Sequence, residues 1–258
     1  MVIIPGYAIA GFFVGALVGM TGVGGGSLMT PILMLVFGIH PATAVGTDLL
    51  FASLTKTVGT AVHGVGGTVD WRIVRRLAIG SIPATLLTVG MLKILGSPSH
   101  EVTRLITLTL GGALVFTGMA TLFQRRIVDA LTLRFGSRDE SRTTPRTIML
   151  GAILGVLVSI SSVGAGAIGV TALLILYPTL PLNRVAGSDI AHAVPLTMIA
   201  GLGHWWLGSV DFGLLGSLLV GSVPGIAIGS FAATRMSDKW LRPVLGGVLL
   251  FVGAKLLL

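Results

Sequence analysis

Apolar positions along this chain come in long runs rather than in alternation. From Ile4 to Phe37 a run rich in Ile, Leu, Val, Phe and Ala is broken once, at Met20-Thr21-Gly22-Val23-Gly24-Gly25-Gly26-Ser27, and a similar broken run extends from Met149 to Tyr177. Between them lie unbroken runs from Ala44 to about Val62, Ile73 to Leu92 and Leu105 to Phe123. Each of these three is long enough for a membrane-spanning helix. The runs lack the two-residue alternation of a transmembrane barrel. The pattern therefore predicts an all-α polytopic membrane protein.

The glycine breaks are the first candidates for a site. Glycine loosens a helix and bares its backbone. In lipid an unpaired N–H or C=O costs several kcal/mol, so broken backbone persists at membrane depth only where protein or a polar cavity surrounds it.

Composition supports this class. The 258 residues are 53% hydrophobic and 10% charged, and mean hydropathy is +0.97. That is too little polar surface for a soluble domain. The 38 glycines fit close helix packing in lipid. A net charge of +8 invites a nucleic-acid reading, yet the charges sit in short clusters between apolar runs, as positive-inside topology places them. Zero cysteines exclude a disulfide framework, thiolate ligands and a cysteine nucleophile. The first residues carry no basic leader and read as a retained membrane segment.

The second half repeats the first. At an offset of 140, Gly11, Gly15, Val23, Gly24 and Gly26 fall on Gly151, Gly155, Val163, Gly164 and Gly166. At an offset of 141, Asp48, His63, Gly67, Val69 and Asp70 meet Asp189, His204, Gly208, Val210 and Asp211, and Gly80-Ser81-Ile82-Pro83 meets Gly221-Ser222-Val223-Pro224. We read this as an internal duplication: residues 1–123 and 147–258 as membrane repeats, joined by a basic linker at 124–146. The linker carries Arg125, Arg126, Arg134, Arg138, Arg142 and Arg146, with Ile127, Val128, Leu131 and Phe135 at helical spacing. Such a segment would lie in the membrane interface.

Topology follows from counting charges. Pro5 to Phe37 is 33 residues, too few for two crossings of about 20 and too many for one. A re-entrant hairpin fits better. Each half then has three spanning helices, and 13 lysines and arginines lie inside against Lys93, Arg104 and Lys255 outside. If the broken stretch spans instead, the division is 10 to 6, so the hairpin satisfies the positive-inside rule better. An odd number of crossings per half makes the repeats inverted, with both termini outside and the two glycine tips approaching the midplane from opposite faces.

Lys56 lies in the middle of a predicted spanning segment, whereas Arg75 and Arg76 lie at the very start of theirs, and this costly placement marks it as a site candidate. Asp48, Lys56, Gly59 and His63 share one helix face, and Asp189, His192, Thr197 and His204 occupy the related face of the second half. Thr197 stands where the first half has Lys56. Lys56 can hold a substrate anion, neutralise Asp48 or snorkel. Broken helices direct N–H groups and positive dipole ends toward the midplane, which suits an anion. The predicted anion contacts are Thr21, Gly22, Gly24, Gly25, Gly26 and Ser27 in the first break, Lys56, and Ser161, Ser162, Gly164 and Gly166 in the second. The alternative for these small residues is close helix packing. Asp48, Asp189 and His192 are candidates for coupling or gating, as are His63 and His204, whose position at segment ends also suits a capping or anchoring role. Trp71, Trp205 and Trp206 read as interfacial anchors. No metal-ligand spacing stands out and no cofactor is expected. Gly22-Val23-Gly24-Gly25-Gly26 follows no soluble strand and is no dinucleotide fingerprint.

Gly22-Val23-Gly24-Gly25-Gly26-Ser27, Pro31, Ala44-Val45-Gly46-Thr47-Asp48, His63 and Thr68-Val69-Asp70-Trp71 together resemble the sulfite exporter TauE/SafE family, of the toluene sulfonate uptake permease superfamily. The likeness extends through both repeats. It implies a bacterial inner-membrane permease for sulfite, organosulfonates or related sulfur anions, with the anion and the lipid bilayer as partners and no nucleic acid. A homo-oligomer is compatible with it. The expected mechanism is alternating access of a secondary transporter, not an enzyme, with proton coupling open. Two other readings stay in view: an anion channel using the same N–H groups, and an intramembrane aspartyl protease built on Asp48 and Asp189. Lys56 beside the paired acids argues against the protease, because its charge favours an ionised acid.

Overall fold

In the computed structural model the described residues, all but 1–2, 22–24, 66, 97–98, 136–138 and 234–237, form helices and short turns and contain no strand. Gly22 and Gly24 thus lie outside the described residues, as do the side-chain surroundings of Thr21, Gly25, Gly26 and His63. The elements are α1 (Pro5–Thr21), a 3-10 turn (Gly25–Leu28), α2 (Met29–Leu35), α3 (Pro41–Val65), α4 (Trp71–Ile94), α5 (His100–Phe135), α6 (Glu140–Ser161), α7 (Ala167–Leu176), α8 (Leu182–Trp206), α9 (Phe212–Ala233) and α10 (Asp238–Leu257).

Five helices are long and apolar enough to cross a membrane among the described residues: α4, α5, α6, α8 and α9. Large apolar side chains face outward around the bundle, including Leu87 at 75% exposure, Phe251 at 72% and Val223 at 68%. An outer surface of this kind is expected in lipid and is unusual in water. The molecule is a multi-pass membrane protein. α6 enters this set because it starts at Glu140, ahead of the apolar run that begins at Met149. Residues 124–135 continue α5 beyond a kink at Phe123 (φ −107°, ψ 15°), and residues 140–146 are the first turns of α6.

Polar side chains start several helices. Asp70 accepts from the backbone N–H groups of Arg72 and Ile73 at the start of α4, Asp139 accepts from Ser141 at the start of α6, and Asp211 accepts from Gly213 and Leu214 at the start of α9. Each satisfies donors that the helix itself leaves orphaned.

Glycines set the helix packing, and the contacts exchange between halves. A Cβ at Gly11 would strike the carbonyl of Leu218, and one at Gly151 that of Leu77; Gly15 and Gly155 oppose Ser222 and Ser81 in the same way. Gly221 abuts the Ala8 carbonyl, and Gly80 abuts that of Ile148. Hence α1 packs along α9 and α6 along α4, each pair running in the same direction. The capping aspartates follow suit: the Asp70 N–H donates to Ser188 Oγ (2.8 Å), and the Asp211 N–H to Thr47 Oγ1 (3.1 Å). α3 and α8 run antiparallel, with Gly46 on Ser209 and Gly201 on Leu50. α5 and α10 also run antiparallel, with Gly111 against Gly253 and Gly118 against Gly246. The glycines of these two helices share a spacing, with Gly111, Gly112 and Gly118 matching Gly246, Gly247 and Gly253 at an offset of 135. Small residues let backbones approach this closely in lipid, where dispersion replaces the hydrophobic drive between helices.

Candidate functional site

The polar centre lies where α3 and α8 cross the second break. α3 contributes Asp48 and Lys56, and α8 contributes Asp189 and His192. Both aspartates and His192 are fully buried, at 0%, 1% and 0% exposure. A charged side chain held this way must find partners.

Asp48 finds them on α2. The Thr30 hydroxyl donates to its Oδ2, and the Thr30 backbone N–H is directed at the same carboxyl. Ser162 Oγ is buried beside Asp48 without completing a hydrogen bond, and Asp48 Oδ1 also has no partner.

Asp189 sits on the first turn of α7. The Gly166 backbone N–H is directed at its carboxyl, and a Cβ at Gly169 would fall on its Oδ1. Oδ1 is buried without a hydrogen-bond partner. The carboxylate therefore faces the positive end of a ten-residue helix.

The break that delivers this helix end is tightly formed. Ser162 is in the left-handed region (φ 59°), the one non-glycine residue there among the described residues, and Gly164 (φ 130°) and Gly166 (φ 128°) adopt conformations that suit glycine. Ser161 Oγ donates to the Leu157 carbonyl (2.7 Å) and accepts from the Val163 N–H (3.2 Å), so it holds the break together. Ser27 is buried in the 3-10 turn after the first break.

Lys56 joins the halves. Its Nζ donates to the Ala165 carbonyl within the second break (3.4 Å) and interacts electrostatically with both Asp189 and Asp48. It forms no direct ion pair with either among the described residues. His192 Nε2 shares a hydrogen bond with Ser81 Oγ on α4 (2.8 Å), and its Nδ1 has no partner. Thr197, in the place matching Lys56, turns back to the Ala193 carbonyl (2.8 Å). His204 bonds through Nε2 to the Ser159 carbonyl (2.8 Å), tying α8 to α6.

The structure thus brings together Asp48, Lys56, Ser162, Gly164, Gly166, Asp189 and His192, and turns Ser161 and His204 to backbone contacts. Thr30, Ser81, Ala165 and Gly169 complete the site and were not among the expected residues. One signal could have found them. Neither α2 nor α7 has a side-chain cap of its own, so their first N–H groups need an acceptor from elsewhere. Among the described residues no cluster of metal-ligating side chains forms.

Short helices that begin against buried carboxylates inside an outward-apolar bundle suit passage of a solute through a membrane. The profile of the sulfite exporter TauE/SafE family matches residues 7–256. The chain belongs to this family. Among similar proteins, the probable membrane transporter protein YjnA of Bacillus subtilis is 37% identical over 96% of this chain and 98% of its own length. The probable membrane transporter protein YdhB of the same organism is 27% identical, over 93% and 96%. MJ0441 of Methanocaldococcus jannaschii, also a probable membrane transporter protein, is 24% identical, over 100% and 97%. No solved structure matches the chain. Family and relatives agree that this is a membrane transporter.

Proposed function

We propose that the protein is a secondary transporter for a small sulfur-containing anion, sulfite or an organosulfonate, working by alternating access between two inverted repeats, residues 1–123 and 147–258. The observation that carries this reading is Lys56: a cation from the first repeat bonded to the backbone of the second repeat's break, between two buried acids. An anion there would meet Lys56, the Ser162 hydroxyl and N–H groups around Gly164 and Gly166; Thr21, Gly22, Gly24, Gly25, Gly26 and Ser27 of the first break remain the further contacts we propose. Asp48, Asp189 and His192 act as proton or gating groups, His63 is a further gating candidate, and His204 anchors α8 to α6.

The antiparallel contacts of α3 with α8 and of α5 with α10 support the inverted relation, because each pair consists of matching helices. The returning arm of the second hairpin also fits in length: α7 has ten residues, about 15 Å of rise, half of a hydrocarbon core of about 30 Å. Arg72, Arg76 and Glu140 cluster at one end, joined by ion pairs, with Arg184 and Asp70 paired beside them. We assign that end, with linker 124–146, to the cytoplasm of a bacterial inner membrane and both termini to the outside.

The test is flux into proteoliposomes of the purified protein. Saturable sulfite uptake that responds to an imposed pH gradient is expected. Flux that never saturates and follows voltage alone would make it a channel, and absence of flux for sulfite, thiosulfate and methanesulfonate alike would reject the substrate class.

A further inference from the structure

We propose that the N-terminal turn of α7 is an anion subsite that Asp189 occupies in this state and vacates on taking up a proton, so that each anion enters with one proton. The inference rests on the anion-transporter reading and assigns the coupling group within it.

Three observations lead to Asp189. Its carboxyl already stands where an anion would be held, with the Gly166 N–H directed at it and Gly169 lacking the Cβ that would exclude it. Oδ1 is buried and unpartnered, so the carboxylate is not locked in place by a second donor. Its counterpart differs: Asp48 receives the Thr30 hydroxyl, whereas Thr171, which matches Thr30, accepts from Gln124 Nε2 (3.1 Å).

Charge arithmetic supplies the need for a proton. α3 brings Lys56 and Asp48 to the site, and α8 brings His192 alongside Asp189. α4 contributes the Ser81 hydroxyl, α2 the Thr30 hydroxyl, and the ten residues of α7 contain no titratable group. The titratable residues of α6, Glu140, Arg142 and Arg146, lie in its first turns at the far end. One ammonium thus faces two carboxylates. A further anion beside an ionised Asp189 would add like-charge repulsion in a site of low polarity, where such repulsion far exceeds its value in water. Protonation removes the carboxylate's charge and its hold on the helix dipole. The anion then takes the freed N–H groups next to Lys56. When the anion leaves on the other side, the proton leaves Asp189 and the carboxylate returns to the turn.

The sign follows from the chemistry. The anion-accepting form is the protonated one, so binding is strongest at low pH and weakens as pH rises through the titration of Asp189. The experiment uses the purified full-length protein in detergent and methanesulfonate, whose charge does not change near neutral pH. Binding is followed by calorimetry, and proton uptake by an indicator dye in weak buffer. At pH values where free Asp189 is ionised, wild-type protein should take up about one proton per anion bound and its affinity should fall about tenfold per pH unit. Asp189→Asn should bind with no proton uptake and with an affinity that does not change with pH. Should the Asn variant not remain monodisperse, Asp189→Glu, which restores a titratable group, must show proton uptake displaced along the pH axis. Anion binding without proton uptake in the wild type, full uptake in Asp189→Asn, or an unmoved titration in Asp189→Glu overturns the inference and leaves the transporter reading intact. Absence of both sulfite and methanesulfonate binding at every pH instead removes the anion reading on which it rests.

Discussion

In the first half the Thr30 hydroxyl donates to Asp48; in the second, the matching Thr171 is engaged by Gln124 instead, while each aspartate keeps one buried oxygen without a partner. Lys56 has Thr197 as its counterpart, and His192 falls opposite Phe51. Backbone contacts, by contrast, are shared: Gly11 on Leu218 and Gly151 on Leu77, Gly80 on Ile148 and Gly221 on Ala8. Packing is duplicated while the chemistry is not. Close glycine packing leaves no room for divergence, because a Cβ there meets backbone that cannot move aside. Side chains lining a polar centre are free to change as long as charge stays compensated.

The strongest way to break the shared part is at those glycines. Gly80→Ala and Gly221→Ala should each destabilise the protein by about 1–3 kcal/mol, the cost of overpacking a close contact, read as a lowered midpoint of thermal unfolding in detergent. Similar losses in the two variants would sharpen the comparison, and a tolerated substitution in one half alone would break it. A smaller effect tests the unlike part. Asp48→Asn weakens the contact with Thr30 at the start of α2 and should cost about 0.5–2 kcal/mol, as loss of a helix cap does. Smallest of all, Arg184→Ala removes a half-exposed ion pair with Asp70 and should change stability by no more than about 1 kcal/mol. A larger loss would mean that this end of the bundle is held by charge more than by packing.

The duplication was legible in the sequence as far as the connections keep their length. Offsets of 140 and 141 carry Gly11 onto Gly151 and Asp70 onto Asp211, and Gly11 and Gly151 meet the Leu218 and Leu77 carbonyls in like fashion. The glycines of α5 and α10 match only at an offset of 135, six residues away from the register of the preceding helices, so an offset of 141 does not align them. Asp48, Lys56, Asp189 and His192 could be picked out because charge in an apolar run is costly. What they touch could not. A helix cap normally precedes its helix by one residue, whereas Thr30 receives Asp48 from 18 residues further along, and Ser81 meets His192 across 111. Nor does the sequence tell Ser161 from Ser162. The first turns back to the Leu157 carbonyl and the second, in the left-handed conformation, leaves its hydroxyl unpaired beside Asp48.

The most direct measurement is sulfite binding to Lys56→Thr, which gives the first half the residue that the second half carries at Thr197. With wild-type and variant protein both monodisperse and folded, the affinity should be at least about a hundredfold lower in the variant, the order expected when the cation that meets the anion is removed. Sulfite bound as tightly by the variant as by the wild type would contradict this role of Lys56.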